Sequence, residues 1–107
     1  MEPLLVLTNL PDAASAETLA TALINRRAAA CVNVLAPCRS IYRWQGRLET
    51  AAEIPLLIKT SVANYPLVEQ IVRSQHPYDV PELIAIPITH GLPAYLDWLA
   101  TETDPHE

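Results

Sequence analysis

The chain has 107 residues, half of them hydrophobic, and a formal net charge of −5. This length predicts one domain spanning residues 1–107. The acidic balance, with no basic stripe, argues against nucleic acid and anionic membrane surfaces as partners. No apolar run approaches the ~20 residues of a transmembrane helix.

The first third of the chain predicts a strand, a helix and a second strand. The apolar run at residues 4–8 is typical of a buried strand. Ser15 is the predicted N-cap of the first helix, because its hydroxyl suits a helix start. The following apolar residues recur at helical spacing, which indicates an amphipathic helix lying on a sheet. Residues 29–35 are the predicted second strand, which breaks at Pro37 and resumes at Ser40.

Residues 40–60 predict a long β-hairpin that reverses at residues 45–47 around a glycine. Period-2 spacing puts Tyr42 and Trp44 on one face of its first strand. Pro55 cannot donate to a sheet ladder, so its segment should bulge or lie at an edge. A long edge with exposed aromatic side chains needs a partner, which favours assembly with other copies of the chain.

The remaining elements are a helix, a stiff loop, a strand and a short helix. The helix is predicted to begin near Tyr65, because a proline that follows suits a first turn. Two prolines stiffen the loop at residues 76–81. A last strand over residues 83–88 and a helix over residues 92–99 follow, and residues 101–107 are predicted to fray.

The predicted order is β-α-β-β-α-β followed by a helix. This order favours an α+β, ferredoxin-like sandwich with an extended β2–β3 hairpin and both main helices on one face of the sheet. The other face lacks helices. We expect another copy of the chain to cover it, most simply in a closed ring.

Cys31 and Cys38 are the only two cysteines. The N-terminus has no pattern of a secretion signal, so we expect reduced thiols and a cytoplasmic location. Two cysteines without clustered histidines do not make a structural zinc site.

Five stretches of the chain resemble one family, the CutA divalent-cation tolerance proteins. They are AAACVN at 28–33, SIYRWQGRLE at 40–49, LIKT at 57–60, HPYDVPE at 76–82 and YLDWL at 95–99. The resemblance covers nearly the whole chain in the right order. It implies a ferredoxin-like fold, a tight PII-like homotrimer and a link to copper and other divalent metals, without catalytic activity.

The resemblance also implies a metal-ligand set that this chain retains only in part. Copper-linked members carry a cysteine late in the first strand and a histidine just ahead of the His-Pro-Tyr string. Those positions hold Thr8 and Gln75, so His76 alone remains as a predicted metal ligand. One imidazole is a weak site for copper, which predicts weak binding of Cu(II) or another divalent cation. His90 before a turn and His106 in the tail are predicted to be solvated.

Five residues are predicted to line a ligand cleft between subunits: Tyr42, Trp44, Lys59, Tyr78 and Glu82. Lys59 and Glu82 facing one cleft would hold a small anionic or zwitterionic ligand. The same pair serves as an acid and a base in an alternative hypothesis, in which the protein is a small-molecule enzyme. In a third hypothesis the protein is a non-catalytic trimeric scaffold whose cleft is only packing.

Overall fold

A computed structural model describes residues 1–104, which form five strands and three helices. The elements are β1 (Pro3–Leu10), α1 (Ala13–Asn25), β2 (Cys31–Val34), β3 (Cys38–Trp44), β4 (Arg47–Ser61), α2 (Tyr65–Gln75), β5 (Ile84–Pro87) and α3 (Pro93–Glu102). His106 lies outside the described residues.

The strands form one antiparallel sheet in the order β2-β4-β1-β5, and β3 also pairs with β4. Since β2 and β3 follow each other along the same edge of β4, they are two halves of one interrupted strand. With these halves counted together, the order is that of a ferredoxin-like sheet, which confirms the predicted fold class.

One face of the sheet carries both main helices, as predicted. Alternate residues of β1 are buried, and they join buried residues of α1, α2 and β4 in a single hydrophobic core. The opposite face, here called the open face, carries Leu5 and Leu7. In register these residues pair with Lys59 and Leu57 on one side and with Ile86 and Ile84 on the other.

Helix α1 begins earlier than predicted, and its N-cap is Asp12 rather than Ser15. The Asp12 backbone is extended, and its Oδ1 accepts a hydrogen bond of 2.7 Å from the Ser15 N–H. That bond also holds the pKa of the Asp12 carboxyl below its usual value. Ser15 therefore occupies the third helical position, where its amide needs an acceptor.

The hairpin of β3 and β4 pairs without interruption from Cys38 opposite Glu53 to Trp44 opposite Arg47. Its turn contains two residues, Gln45 and Gly46, rather than the three predicted. Both have positive φ, 50° and 79°, which is the geometry of the tight I′ turn that matches strand twist. The return strand, predicted over residues 53–60, is longer than expected, because β4 begins at Arg47 and ends at Ser61.

Pro55 lies within β4, a central strand rather than an edge strand. Its carbonyl accepts a hydrogen bond from the Leu35 N–H, so its own nitrogen faces the same side. On that side the pairing is interrupted between Val34 opposite Leu56 and Cys38 opposite Glu53. The irregularity predicted for Pro55 is therefore the gap between β2 and β3.

The end of α3 is anchored, although this segment was predicted to fray. The Arg27 guanidinium donates to the carbonyl oxygens of Thr101 and Asp104, both at 2.9 Å. Asn64 donates to the Thr103 carbonyl at 2.9 Å. These donors satisfy carbonyl groups that a helix C-terminus leaves without partners.

Candidate functional site

His76 ends helix α2, and its side chain is only 8% exposed. Its Nδ1 accepts a hydrogen bond of 3.1 Å from the Tyr78 N–H. Because Nδ1 must carry a lone pair to do so, the proton of the neutral ring is on Nε2. Nε2 lies 2.6 Å from the Asn9 carbonyl oxygen and donates to it. His76 therefore joins the end of β1 to the loop that follows α2.

The surroundings of His76 do not fit a divalent cation. A metal ion needs a nitrogen lone pair, and the Nδ1 lone pair is already used by Tyr78. Thr8 is buried, and its Oγ1 has no hydrogen-bond partner among the described residues, while Gln75 is exposed. Within residues 1–104, no three His, Cys, Asp or Glu side chains are grouped so that they could hold a metal ion.

A cleft of about 390 Å³ lies between the hairpin and the loop after α2. We call it the hairpin cleft. Seven residues line it: Tyr42, Trp44, Glu53, Tyr78, Asp79, Val80 and Glu82. The structure thus brings together four of the five predicted ligand-binding residues within a single chain.

Two hydrogen bonds fix the walls of the hairpin cleft. The Tyr78 hydroxyl donates to Glu53 Oε2 at 3.1 Å, which ties the loop to the base of the hairpin. Asn9 Nδ2 donates to Glu82 Oε1 at 3.2 Å, which ties the loop to the end of β1. Tyr42 and Trp44 alternate along β3, so both project from the same side of the ribbon.

Lys59 is the predicted ligand-binding residue that the structure places elsewhere. Its Nζ donates to Asn33 Oδ1 and lies 4.0 Å from Cys31 Sγ, on the open face. Along β4, Lys59 is four residues from Pro55, the partner of Asn9, which corresponds to ~13 Å of strand. Since Asn9 holds Glu82, one chain does not form the acid–base pair of the enzyme hypothesis.

Sequence reasoning missed three lining residues: Glu53, Asp79 and Val80. Asp79 and Val80 directly follow Tyr78 in the His-Pro-Tyr-Asp-Val string. Their place in the cleft could therefore have been predicted from that of Tyr78. The position of Glu53 follows only from the hairpin register, which places it opposite Cys38.

The two cysteines are free thiols. Cys31 lies opposite Lys59 and Cys38 opposite Glu53. Six residues of strand separate these positions on β4, about 20 Å, whereas a disulfide needs Cα atoms within about 7 Å. His90 is exposed, and its Nδ1 lies 3.0 Å from Thr89 Oγ1.

The Tyr78 hydroxyl is expected to lose its proton at a higher pH than an ordinary tyrosine. Burial, followed by the hydrogen bond to the Glu53 carboxylate and its charge, raises the pKa of Tyr78 from 10.0 to about 12. Because the folded state holds this proton more tightly, its stabilising effect is complete below pH 10 and is lost as the pH rises toward 12. Ultraviolet titration should show a tyrosinate step near that value, absent in Tyr78→Phe.

Tyr95→Phe is the control for that titration, because Tyr95 lies on α3 near Cys31 rather than near Glu53. This variant should retain the late step. A late step that persists in Tyr78→Phe would belong to another tyrosine and would contradict the assignment.

A protein-family model described as CutA1 divalent ion tolerance protein matches residues 4–102. The divalent-cation tolerance protein CutA of Thermus thermophilus is 45% identical over 98 residues, which is 92% of this chain and 95% of the relative.

Solved structures give the same likeness. The crystal structure of CutA from Xylella fastidiosa has a TM-score of 0.94 at 42% identity, and covers 97% of this chain and 100% of its own. A CutA from Archaeoglobus fulgidus, described as a periplasmic divalent cation tolerance protein, has a TM-score of 0.93 at 32% identity. It covers 95% of this chain and 99% of its own.

Proposed function

Because the chain belongs to the CutA1 divalent ion tolerance family, we propose that it acts as a non-catalytic homotrimer that carries a small ligand and takes part in the response to metal ions. The relatives are named as tolerance proteins rather than as enzymes. The proposed roles are therefore assembly with other copies, binding of a small ligand, and weak contact with divalent cations.

The apolar residues on the open face of the sheet are the main support for the proposed assembly. Leu5, Leu7 and Leu57 lie side by side on it, together with Ile84 and Ile86. The two isoleucines are 51% and 47% exposed. A contiguous apolar surface of this kind marks an interaction site, and an identical copy is the simplest occupant, because most oligomers are closed assemblies of one chain.

The hairpin supports assembly through a second observation. From Arg47 to Glu53, β4 pairs only with β3. The molecule measures 45 Å along its longest axis. Ile41 and Leu48 on this ribbon are 62% and 74% exposed. A lone two-stranded ribbon has little stability in water, so contact with a neighbouring copy would stabilise it and extend the hairpin cleft across a subunit boundary.

The link to metal ions is proposed to be weak or indirect. The net charge of −5 attracts divalent cations to the surface without a dedicated site. Weak binding of Cu(II) or another divalent cation at such a surface agrees with the saturated hydrogen bonds of His76.

The proposed location is the cytoplasm, a compartment that keeps thiols such as those of Cys31 and Cys38 reduced. Within residues 1–104, no helix has the length and apolar character needed to cross a membrane. Since the archaeal relative is described as periplasmic, cell fractionation with a tagged full-length chain is the direct test. Recovery with a periplasmic marker would overturn the location.

The assembly is tested by light scattering during gel filtration. At micromolar concentration the wild type should have three times the mass of the 11.8 kDa chain. Ile86→Glu, which charges the open face, should yield monomers. Ile24→Glu is the matched control, because Ile24 is 40% exposed on α1, away from that face. A monomeric wild type, or a trimeric Ile86→Glu, would contradict the proposed interface.

A further inference from the structure

We propose that the hairpin cleft binds an organic cation, a guanidinium or ammonium group carried on a short aliphatic chain. The inference deepens the ligand-carrying part of the proposed function and is independent of the trimer. It differs from the anionic or zwitterionic ligand expected from the sequence, because the residues that line this cleft within one chain do not include Lys59.

The charge of the cleft selects a cation. Glu53, Asp79 and Glu82 contribute three carboxyl groups, and none of the lining residues is basic. Arg47 lies opposite Trp44 in the hairpin but does not line the cleft. An opposite charge at this place would be attracted by all three groups at once.

Glu53 is the second, independent observation. Glu53 is 8% exposed and is one of the residues that line the cleft. The hydroxyl of Tyr78 is its hydrogen-bond partner among the described residues, and none of the described cations forms an ion pair with it. Burying a carboxylate with one neutral donor is unfavourable, so a ligand cation that completes its hydrogen bonds would be stabilised there.

The aromatic residues suit an organic cation. Trp44 and Tyr42 are 50% and 43% exposed in this chain, and Tyr78 is 36% exposed. Their ring faces attract cations such as guanidinium and alkylammonium. Val80, 70% exposed at the same cleft, offers an apolar contact for an aliphatic chain.

A metal ion fits the same carboxylates less well. Ca²⁺ and Mg²⁺ need several oxygen ligands converging within about 2.6 Å, and the described carboxyl groups form no such group. Glu53 is held by Tyr78 and Glu82 by Asn9, on different walls. An extended organic cation can contact these walls separately, within about 390 Å³.

The test is a fluorescence titration of the purified full-length protein with butylguanidinium, and with butylurea as the uncharged molecule of the same shape. The background is Trp98→Phe, which leaves Trp44 as the only tryptophan. Butylguanidinium should cause a saturable change in emission, and butylurea should cause none.

Two variants place the site. Glu53→Gln keeps an acceptor for the Tyr78 hydroxyl but removes the charge, and should weaken binding by about tenfold or more. Glu17→Gln, an exposed carboxyl on α1, should bind like the parent. Equal responses to the two probes, or equal affinities of the two variants, would overturn the proposal.

The outcome is separate from the assembly test. A monomer that binds butylguanidinium would refute the trimer and retain the cation site. A trimer that binds neither butylguanidinium nor butylurea would support the proposed assembly and refute the cation site. Zn²⁺ or Ca²⁺ that displaces butylguanidinium at equal concentration would assign the cleft to a metal ion instead and would overturn the proposal.

Discussion

His76→Ala is expected to lower the free energy of unfolding by about 2–4 kcal/mol while leaving the heat of Cu(II) binding unchanged. The ring is buried and joins two backbone groups, the Asn9 carbonyl and the Tyr78 N–H. Alanine would leave both groups without partners and open a cavity between β1 and the loop. Urea denaturation and calorimetric titration of chelator-stripped protein measure the two effects.

His90→Ala is the matched control for His76→Ala. His90 is exposed, and its described contact is with the adjacent Thr89. Its replacement should change stability by no more than about 0.5 kcal/mol. Saturable Cu(II) binding that is lost in His76→Ala and kept in His90→Ala would make His76 a metal ligand, and would show that its hydrogen bonds open for the metal.

Much of the fold was predictable, because local patterns carry it. The apolar run of β1 and the helical spacing of apolar residues in α1 are visible without structure. They reflect burial of one face of each element. The start of α1 was misassigned, because Asp12 and Ser15 are both good N-caps and only the backbone shows which one is extended.

The candidate site was predictable in part. Tyr42, Trp44 and Tyr78 were found because large aromatic side chains line pockets and anchor interfaces. The placement of Lys59 within one chain could not be predicted, because Lys59 and Glu82 were paired by their complementary chemistry without knowing the strand register. Strand pairing fixes the distance between them, and Lys59 lies opposite Cys31 rather than near the end of β1.

For His76, the sequence could not predict which groups the imidazole ring contacts. Its residue type suggests a ligand, whereas its environment makes it a structural connector between Asn9 and Tyr78. Which nitrogen carries the proton depends on the backbone groups around the ring. The sequence around His76 does not reveal those groups, because one of them, the Asn9 carbonyl, is 67 residues away along the chain.

Neighbouring leucines of β4 provide the second large effect. Leu56 is fully buried against the helices, whereas Leu57 points to the open face opposite Leu7. Leu56→Ala should therefore cost about 2–5 kcal/mol of unfolding free energy, equally at low and high protein concentration. The molecule should remain assembled, because the open face is unchanged.

Leu57→Ala makes the same chemical change on the other face, so the two variants separate folding from assembly. If the open face is an interface, Leu57→Ala should weaken association, and the denaturation midpoint should fall most in dilute samples, because assembly stabilises by mass action. Urea titrations at two protein concentrations tenfold apart test this. A midpoint loss in Leu57→Ala that is the same at both protein concentrations would mean that the open face does not meet another copy.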